Sequence, residues 1–364
     1  MLTEQRTERP LDIAIIAGLR FGTTEPFAGG LEHHTDVLAS TLVRLGHSVT
    51  VFAGTGEVVD DPRRLYSLES LVDRTIELSD LARSDVSMPP ERFMIEHDAY
   101  LDLADRISDR SFDVVHNNSL HYLPVLGDAR HRIVHTLHTP PTPWLESAHR
   151  IGRQRRRDHT RTVSVSHDNA QRWDGVVDHV IHNGIDVDTW AYGDGGQGYA
   201  FWSGRVVPEK GLHLAIEAAR RAEMRLLIAG PAHDREYFER SIVPELGPDC
   251  VYLGHCMTAD IAERLAGAAV AVVSPCWDEP FGLVVAEALA CGTPVAAFAR
   301  GAIPELLDDE IGATAPADDV DGLAAAMVVA RELDRERCRE VACDRFTSTT
   351  MALRYESVYD ELVA

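Results

Sequence analysis

The stretch Ser274–Pro294, SPCWDEPFGLVVAEALACGTP, carries two glutamates in opposed settings. Glu279 lies in a turn beside Pro280, whereas Glu287 sits inside the apolar run Leu283–Ala290. Apolar spacing without a breaker predicts a buried helix over 282–291, with Pro280 at its start and Gly292 just past its end. A carboxylate in such a helix costs free energy unless hydrogen-bonded, so Glu287 needs a polar partner. The vicinal hydroxyls of a sugar would serve. Free amides around Phe281, Gly282 and Leu283 would favour an anion such as a phosphate. A hydroxyl reader, an anion cradle and a second carboxylate in one short stretch point to a nucleotide-sugar site.

Working outward, Tyr199–Gly204, Arg225–Gly230, Val251–Leu253, Val270–Val273 and Pro294–Phe298 read as strands. Gly211–Arg221, Asp234–Leu246 and Thr258–Gly267 read as the helices between them. Such alternation predicts a parallel, doubly wound sheet. The chain reads as helical from about Asp318, and Arg345–Val363 is amphipathic enough to cross back onto the first half. Ala191–Gly198, AYGDGGQG, is the clearest break and predicts a hinge at about 188–198.

Before that hinge, Leu11–Gly18, Ser48–Ala53, Phe112–Asn117, Arg132–His138, Thr162–Ser166 and Asp178–Ile185 read as strands, with helices over Leu31–Leu45 and His97–Arg110. Gly54–Glu96 is acidic and weakly periodic, and reads as one or two helices over the sheet. The length of 364 residues suits two domains. We expect two Rossmann-like doubly wound domains, 1–187 with 345–364 and 199–344, facing each other across a cleft.

Ligands of parallel sheets gather at the carboxyl ends of strands. His116, Asn117 and Asn118 end one strand, and His135 and His138 another. Gly29-Gly30, where the first helix begins, either brings backbone amides to a phosphate or sugar or makes a plain turn. The G-x-G-x-x-G fingerprint is absent, which disfavours a NAD-dependent oxidoreductase. Arg150–Arg161 holds six arginines and reads first as a solvated helix face, second as a patch for an anionic acceptor or a phospholipid head group.

Net charge is −23, which argues against nucleic acid and against whole-surface attraction to an anionic membrane. There is no apolar run long enough to span a bilayer and no signal-peptide core in Met1–Pro10, so a cytoplasmic location is expected. The six cysteines include no C-x-x-C pair and read as reduced, mostly buried thiols, with neither disulfide framework nor metal site.

The motifs, in order, are GG-x-E at Gly29–Glu32, RLGH at Arg44–His47, FDVVH at Phe112–His116, TLHT at Thr136–Thr139, NGID at Asn183–Asp186, SGR…PEKG at Ser203–Gly211 and EPFG…E at Glu279–Glu287. In this order the chain resembles the retaining glycosyltransferases of family 4, which have the GT-B fold. The resemblance implies transfer of a sugar from a nucleotide-diphosphate donor to an acceptor hydroxyl by front-face attack, without a metal or other cofactor. A UDP-sugar is the expected donor, although GDP and ADP fit the same contacts. Arg205 and Lys210 would hold the donor diphosphate, Glu287 the ribose and Glu279 the donor sugar, with amides from Phe281, Gly282 and Leu283. His138 would lie near the reacting sugar, and Gly29 and Gly30 would bring amides from the other domain. Glu32, Asn117 and Ser166 are weaker acceptor-side candidates.

Lys210 is the only lysine and is already assigned to the diphosphate, which weighs against a pyridoxal-phosphate phosphorylase. A nucleotide-sugar epimerase and a non-catalytic nucleotide-sugar binder stay open as alternatives. The interval from Arg205 to Lys210 is short relative to some members of such a family, and His33-His34 after the glycine loop is unusual.

Overall fold

The computed structural model describes residues 9–54, 64–72, 91–127, 130–156 and 158–364. Two wholly parallel sheets organise them. The first runs β3-β2-β1-β4-β5-β6-β7, built from β1 (Asp12–Ile16), β2 (Ser48–Ala53), β3 (Ser67–Ser70), β4 (Val114–Asn117), β5 (Ile133–Leu137), β6 (Thr160–Ser164) and β7 (His179–Val180). The second runs β10-β9-β8-β11-β12-β13, from β8 (Ala200–Ser203), β9 (Leu226–Ala229), β10 (Cys250–Tyr252), β11 (Val270–Val273), β12 (Val295–Phe298) and β13 (Gly312–Ala315). Strand order reverses between β1 and β4 and again between β8 and β11, which is where open α/β sheets leave a crevice for ligands.

The central strands are buried on both faces, so they read as continuous apolar runs. One face of the first sheet packs on the Gly30–Arg44 helix through Val37, Leu38 and Leu42, and on the last helix, Ser348–Val363. The other face packs on the Glu91–Ser108 helix through Tyr100, Leu103 and Ile107. In the second sheet, the buried Leu283–Ala290 helix and the Arg335–Arg345 helix lie on one face, with the Leu212–Arg221 and Val320–Ala330 helices on the other.

Some elements differ from the sequence reading. β3 (SLES) is a half-exposed edge strand, and β13 (GATA) is built of small residues; neither carries the apolar run that marks a strand. Asp178–Ile185 contributes only the two residues of β7. Asp234–Leu246 breaks into short α, π and 3-10 turns at Arg235–Tyr237, Phe238–Ile242 and Val243–Glu245, with Pro244 early in the last. The helix foreseen from His97 starts at Glu91, and much of the region foreseen as one or two helices lies outside the described residues. The glycine-rich 191–198 stretch is fastened to the second domain rather than free. Gly193 N–H donates to Cys291 O (3.1 Å), Gly195 N–H to Ala266 O (3.1 Å) and Gln197 N–H to Gly267 O (3.3 Å). Arg335 spans the carbonyls of Gly193, Ala266 and Ala268.

Candidate functional site between the two sheets

The switch points of the two sheets face each other across a cavity of about 280 Å³. On the first-domain side, the Gly30–Arg44 helix starts from Gly29 with no side-chain cap, leaving first-turn amides for a ligand. Both glycines serve close approach. A Cβ on Gly30 would stand 3.2 Å from Leu283 Cδ1 of the opposite domain, and one on Gly29 3.6 Å from Arg205 Cδ. His138 follows β5 and lines the cavity. Its Nε2–H donates to Asn118 Oδ1 at 3.1 Å. Burial, with His116 nearby, pushes its pKa down to about 3, so the ring stays neutral at physiological pH.

The second-domain side begins after β8 with Ser203-Gly204-Arg205, and Pro208–Lys210 forms a 3-10 turn closed by Gly211. Gly211 has φ 64°, and a Cβ there would overlap Ser274 O at 1.9 Å, so only glycine fits this turn. Lys210 Nζ donates to Glu279 Oε2 at 2.6 Å, and Trp277 Nε1–H donates to the same oxygen at 2.9 Å. The ammonium also lies 5.1 Å from the Trp277 ring centre. Arg205 is held more loosely, 3.9 Å from Glu209.

The Leu283–Ala290 helix starts three residues after Pro280, one residue inside the expected 282–291 span. Pro280 precedes it by a turn, and Gly282, at φ 97°, forms its uncapped N-terminus beside the cavity. Glu287 is buried on its cleft face, and Nδ1 of His33 from the first domain lies 3.3 Å from Oε1.

Contacts between domains hold this geometry. Glu305 accepts from the amides of His167 and Asp168, both at 3.0 Å, and from His182 Nε2 at 2.7 Å. Arg172 pairs with Asp278 at 2.7 Å, and His255 Nε2–H donates to Phe27 O at 2.9 Å.

The cavity therefore brings together Gly29, Gly30, His138, Arg205, Lys210, Glu279, Phe281, Gly282, Leu283 and Glu287. It does not bring in Asn117 or Ser166. Asn117 faces His135 Nδ1 at 3.2 Å and accepts from Ser119, while Ser166 caps the His167–Arg172 helix by accepting from Asn169 N–H. Glu32 sits just behind the glycine loop. Burial lifts its pKa to about 7 against the pull of its own amide and of Arg205. His116 is consumed by Tyr359 and Thr136, at 2.6 and 2.8 Å. Of the arginine cluster, Arg150 pairs with Glu146, Arg153 with Asp178 and Arg161 with Glu361, as a solvated face requires. Arg157 lies outside the described residues. Sequence reasoning missed Trp277 and the place of His33. The only signals were an aromatic two residues before Glu279 and a histidine pair after a glycine loop.

Comparison with known proteins gives two family-model matches, Glycosyltransferase Family 4 over residues 28–189 and Glycosyl transferases group 1 over 193–342. A phosphatidyl-myo-inositol mannosyltransferase of Mycolicibacterium smegmatis is 30% identical over 353 residues, 89% of this chain and 88% of the relative. A D-inositol 3-phosphate glycosyltransferase of Mycobacteroides abscessus is 32% identical over 148 residues, 36% of this chain and 33% of the relative. Among solved structures, sucrose-phosphate synthase from Thermosynechococcus elongatus superposes with TM-score 0.75 at 19% identity, covering 97% of this chain and 99% of the other. The Anabaena protein HepE in complex with UDP-glucose gives 0.73 at 16% identity, covering 96% and 99%. These likenesses share the fold of two facing parallel-sheet domains.

Proposed function

The chain belongs to glycosyltransferase family 4 and has the GT-B fold, and from that premise we propose that it moves a sugar from a nucleotide-diphosphate donor to an acceptor hydroxyl with retention at the anomeric carbon. The observation that carries this reading is the gathering, in one cavity, of the chain's only lysine, Arg205, two carboxylates and uncapped helix starts from both domains. Glu287 takes the ribose hydroxyls. Arg205 and Lys210 hold the diphosphate, and supply the positive charge without a divalent metal. As the bond from the anomeric carbon to the phosphate oxygen breaks, charge grows on the leaving diphosphate, and these two cations stabilise it. The acceptor oxygen bonds to the same face of that carbon and passes its proton to the departing phosphate. Lys210 must shift its allegiance from Glu279 towards phosphate, which frees Glu279 for sugar hydroxyls. His138, neutral and with its Nε2–H engaged by Asn118, accepts a hydrogen bond from a sugar hydroxyl at Nδ1 rather than supplying a charge.

A UDP-sugar is the donor in this reading, supported by HepE, solved with UDP and with UDP-glucose. The acceptor is a hydroxyl compound bearing negative charge. Relatives named for phosphatidyl-myo-inositol and for D-inositol 3-phosphate support that choice. Six free cysteines agree with a reducing, cytoplasmic setting, and no helix among the described residues is long and apolar enough to cross a membrane. Incubation with UDP-, GDP- and ADP-sugars should release free nucleotide or form product with one of them. Glu279→Ala and His138→Ala should abolish turnover while nucleotide still binds. Undiminished turnover in both variants, or an inverted product by NMR, would overturn the proposal, and binding without turnover in the wild type would favour a non-catalytic binder.

A further inference from the structure

Among the described residues, His33 is the one side chain of the first domain that forms an ion pair with Glu287. Its ring stacks on Phe27 with centroids 5.0 Å apart and meets Trp190 at 6.1 Å, so two aromatic groups fix its plane. Both His33 and Glu287 are nearly buried, with side-chain exposures of 12% and 10%. A carboxylate so desolvated needs a compensating partner, and His33 provides one at a single oxygen. Oε2, and the second lone pair of Oε1, remain for a diol.

We propose that His33 is a positioning residue of the donor site, which reaches across the cleft, aims the Glu287 carboxylate at the donor ribose and so couples donor binding to domain closure. This rests on the reading of Glu287 as the ribose contact.

The groups facing His33 give the coupling a pH dependence. Burial opposes its charge, but the hydrogen bond and charge of Glu287, with the carboxylates of Asp36 and Glu25, raise its pKa above the ordinary 6.5. His34, on the same helix, is held neutral by burial with His138 and His33 beside it. Phe27 and Trp190 add no charge. A raised folded pKa means that the interaction is complete below 6.5 and is lost as pH rises through the higher value.

The test uses the full chain and whichever of UDP, GDP and ADP most raises the melting temperature of the wild type, with donor KM and kcat followed on both sides of neutrality. His33→Ala should raise Kd for that nucleotide and donor KM about tenfold while kcat changes less than about threefold, the loss expected of a hydrogen bond to a charged group. In the wild type KM should rise with pH, and in His33→Ala it should not. His33→Gln should recover much of the affinity and none of the pH dependence. An unchanged KM and pH profile in His33→Ala would sink the proposal, as would a lower KM, which would make His33 an obstruction. Glu287→Gln separates the two levels: if it leaves nucleotide binding intact, the ribose assignment itself fails, and if it weakens binding while His33→Ala does not, only the positioning role fails.

Discussion

Lys210 is poised by a carboxylate and a tryptophan ring rather than by another cation, so its charge is available to a phosphate at the cost of one ion pair. Lys210→Ala should lower kcat by about 10² to 10³, the loss typical of one preorganised charge-stabilising group, with the fold intact by circular dichroism. Gly211 supports it from below. Gly211→Ala forces a side chain into φ 64° against Ser274 O and should cost at least about 2 kcal/mol, read from urea denaturation, with activity falling as the lysine turn moves. At this scale Glu287 was legible because an acidic residue in an apolar helix has no inexpensive solvent-free state. Asn117 and Ser166 were not, because a strand-end polar residue looks the same in sequence whether it faces a ligand or a neighbour. Their hydrogen bonds to His135, Ser119 and Asn169 exist only once the chain is folded.

Among elements, the Ser348–Val363 helix does the most for the distant half of the chain. Met351, Ala352, Tyr355, Val358, Tyr359 and Leu362 are buried against the first sheet. The Tyr359 hydroxyl lies 2.6 Å from His116 Nδ1, and the Tyr355 hydroxyl 3.0 Å from Thr136 Oγ1. Tyr359→Phe keeps the apolar burial but leaves one imidazole nitrogen without its partner. It should destabilise by about 1–3 kcal/mol in denaturant titration and leave donor KM nearly unchanged, since His116 lies behind the cavity rather than in it. The amphipathic pattern of this helix was visible in the sequence. The strands β3 and β13 were not, because a short edge strand or one of small residues is held by its neighbour's ladder more than by its own side chains.

At the scale of the whole molecule, Glu305 is one of the points where the second domain grips the first. Burial works against its charge, but hydrogen bonds from His182 and from the amides of Asp168 and His167 hold its pKa below the ordinary 4.5. The stability it contributes is therefore complete above 4.5 and is lost as pH falls through the lower folded value. Glu305→Ala should open the cleft, seen as a larger radius of gyration by X-ray scattering and a higher donor KM, with an acid transition less dependent on this group. The sequence by itself determined the two parallel sheets, the order of the motifs and the buried carboxylate, because apolar runs, breakers and desolvation cost act locally along the chain. Only the tertiary structure decided which polar groups share the cavity. It set Lys210 on Glu279 and His33 on Glu287, and turned Asn117 and Ser166 inward. Lys210 and Glu279 lie far apart in sequence and meet only in the folded second domain, whereas His33 and Glu287 lie on opposite domains and meet only when the two sheets are brought face to face.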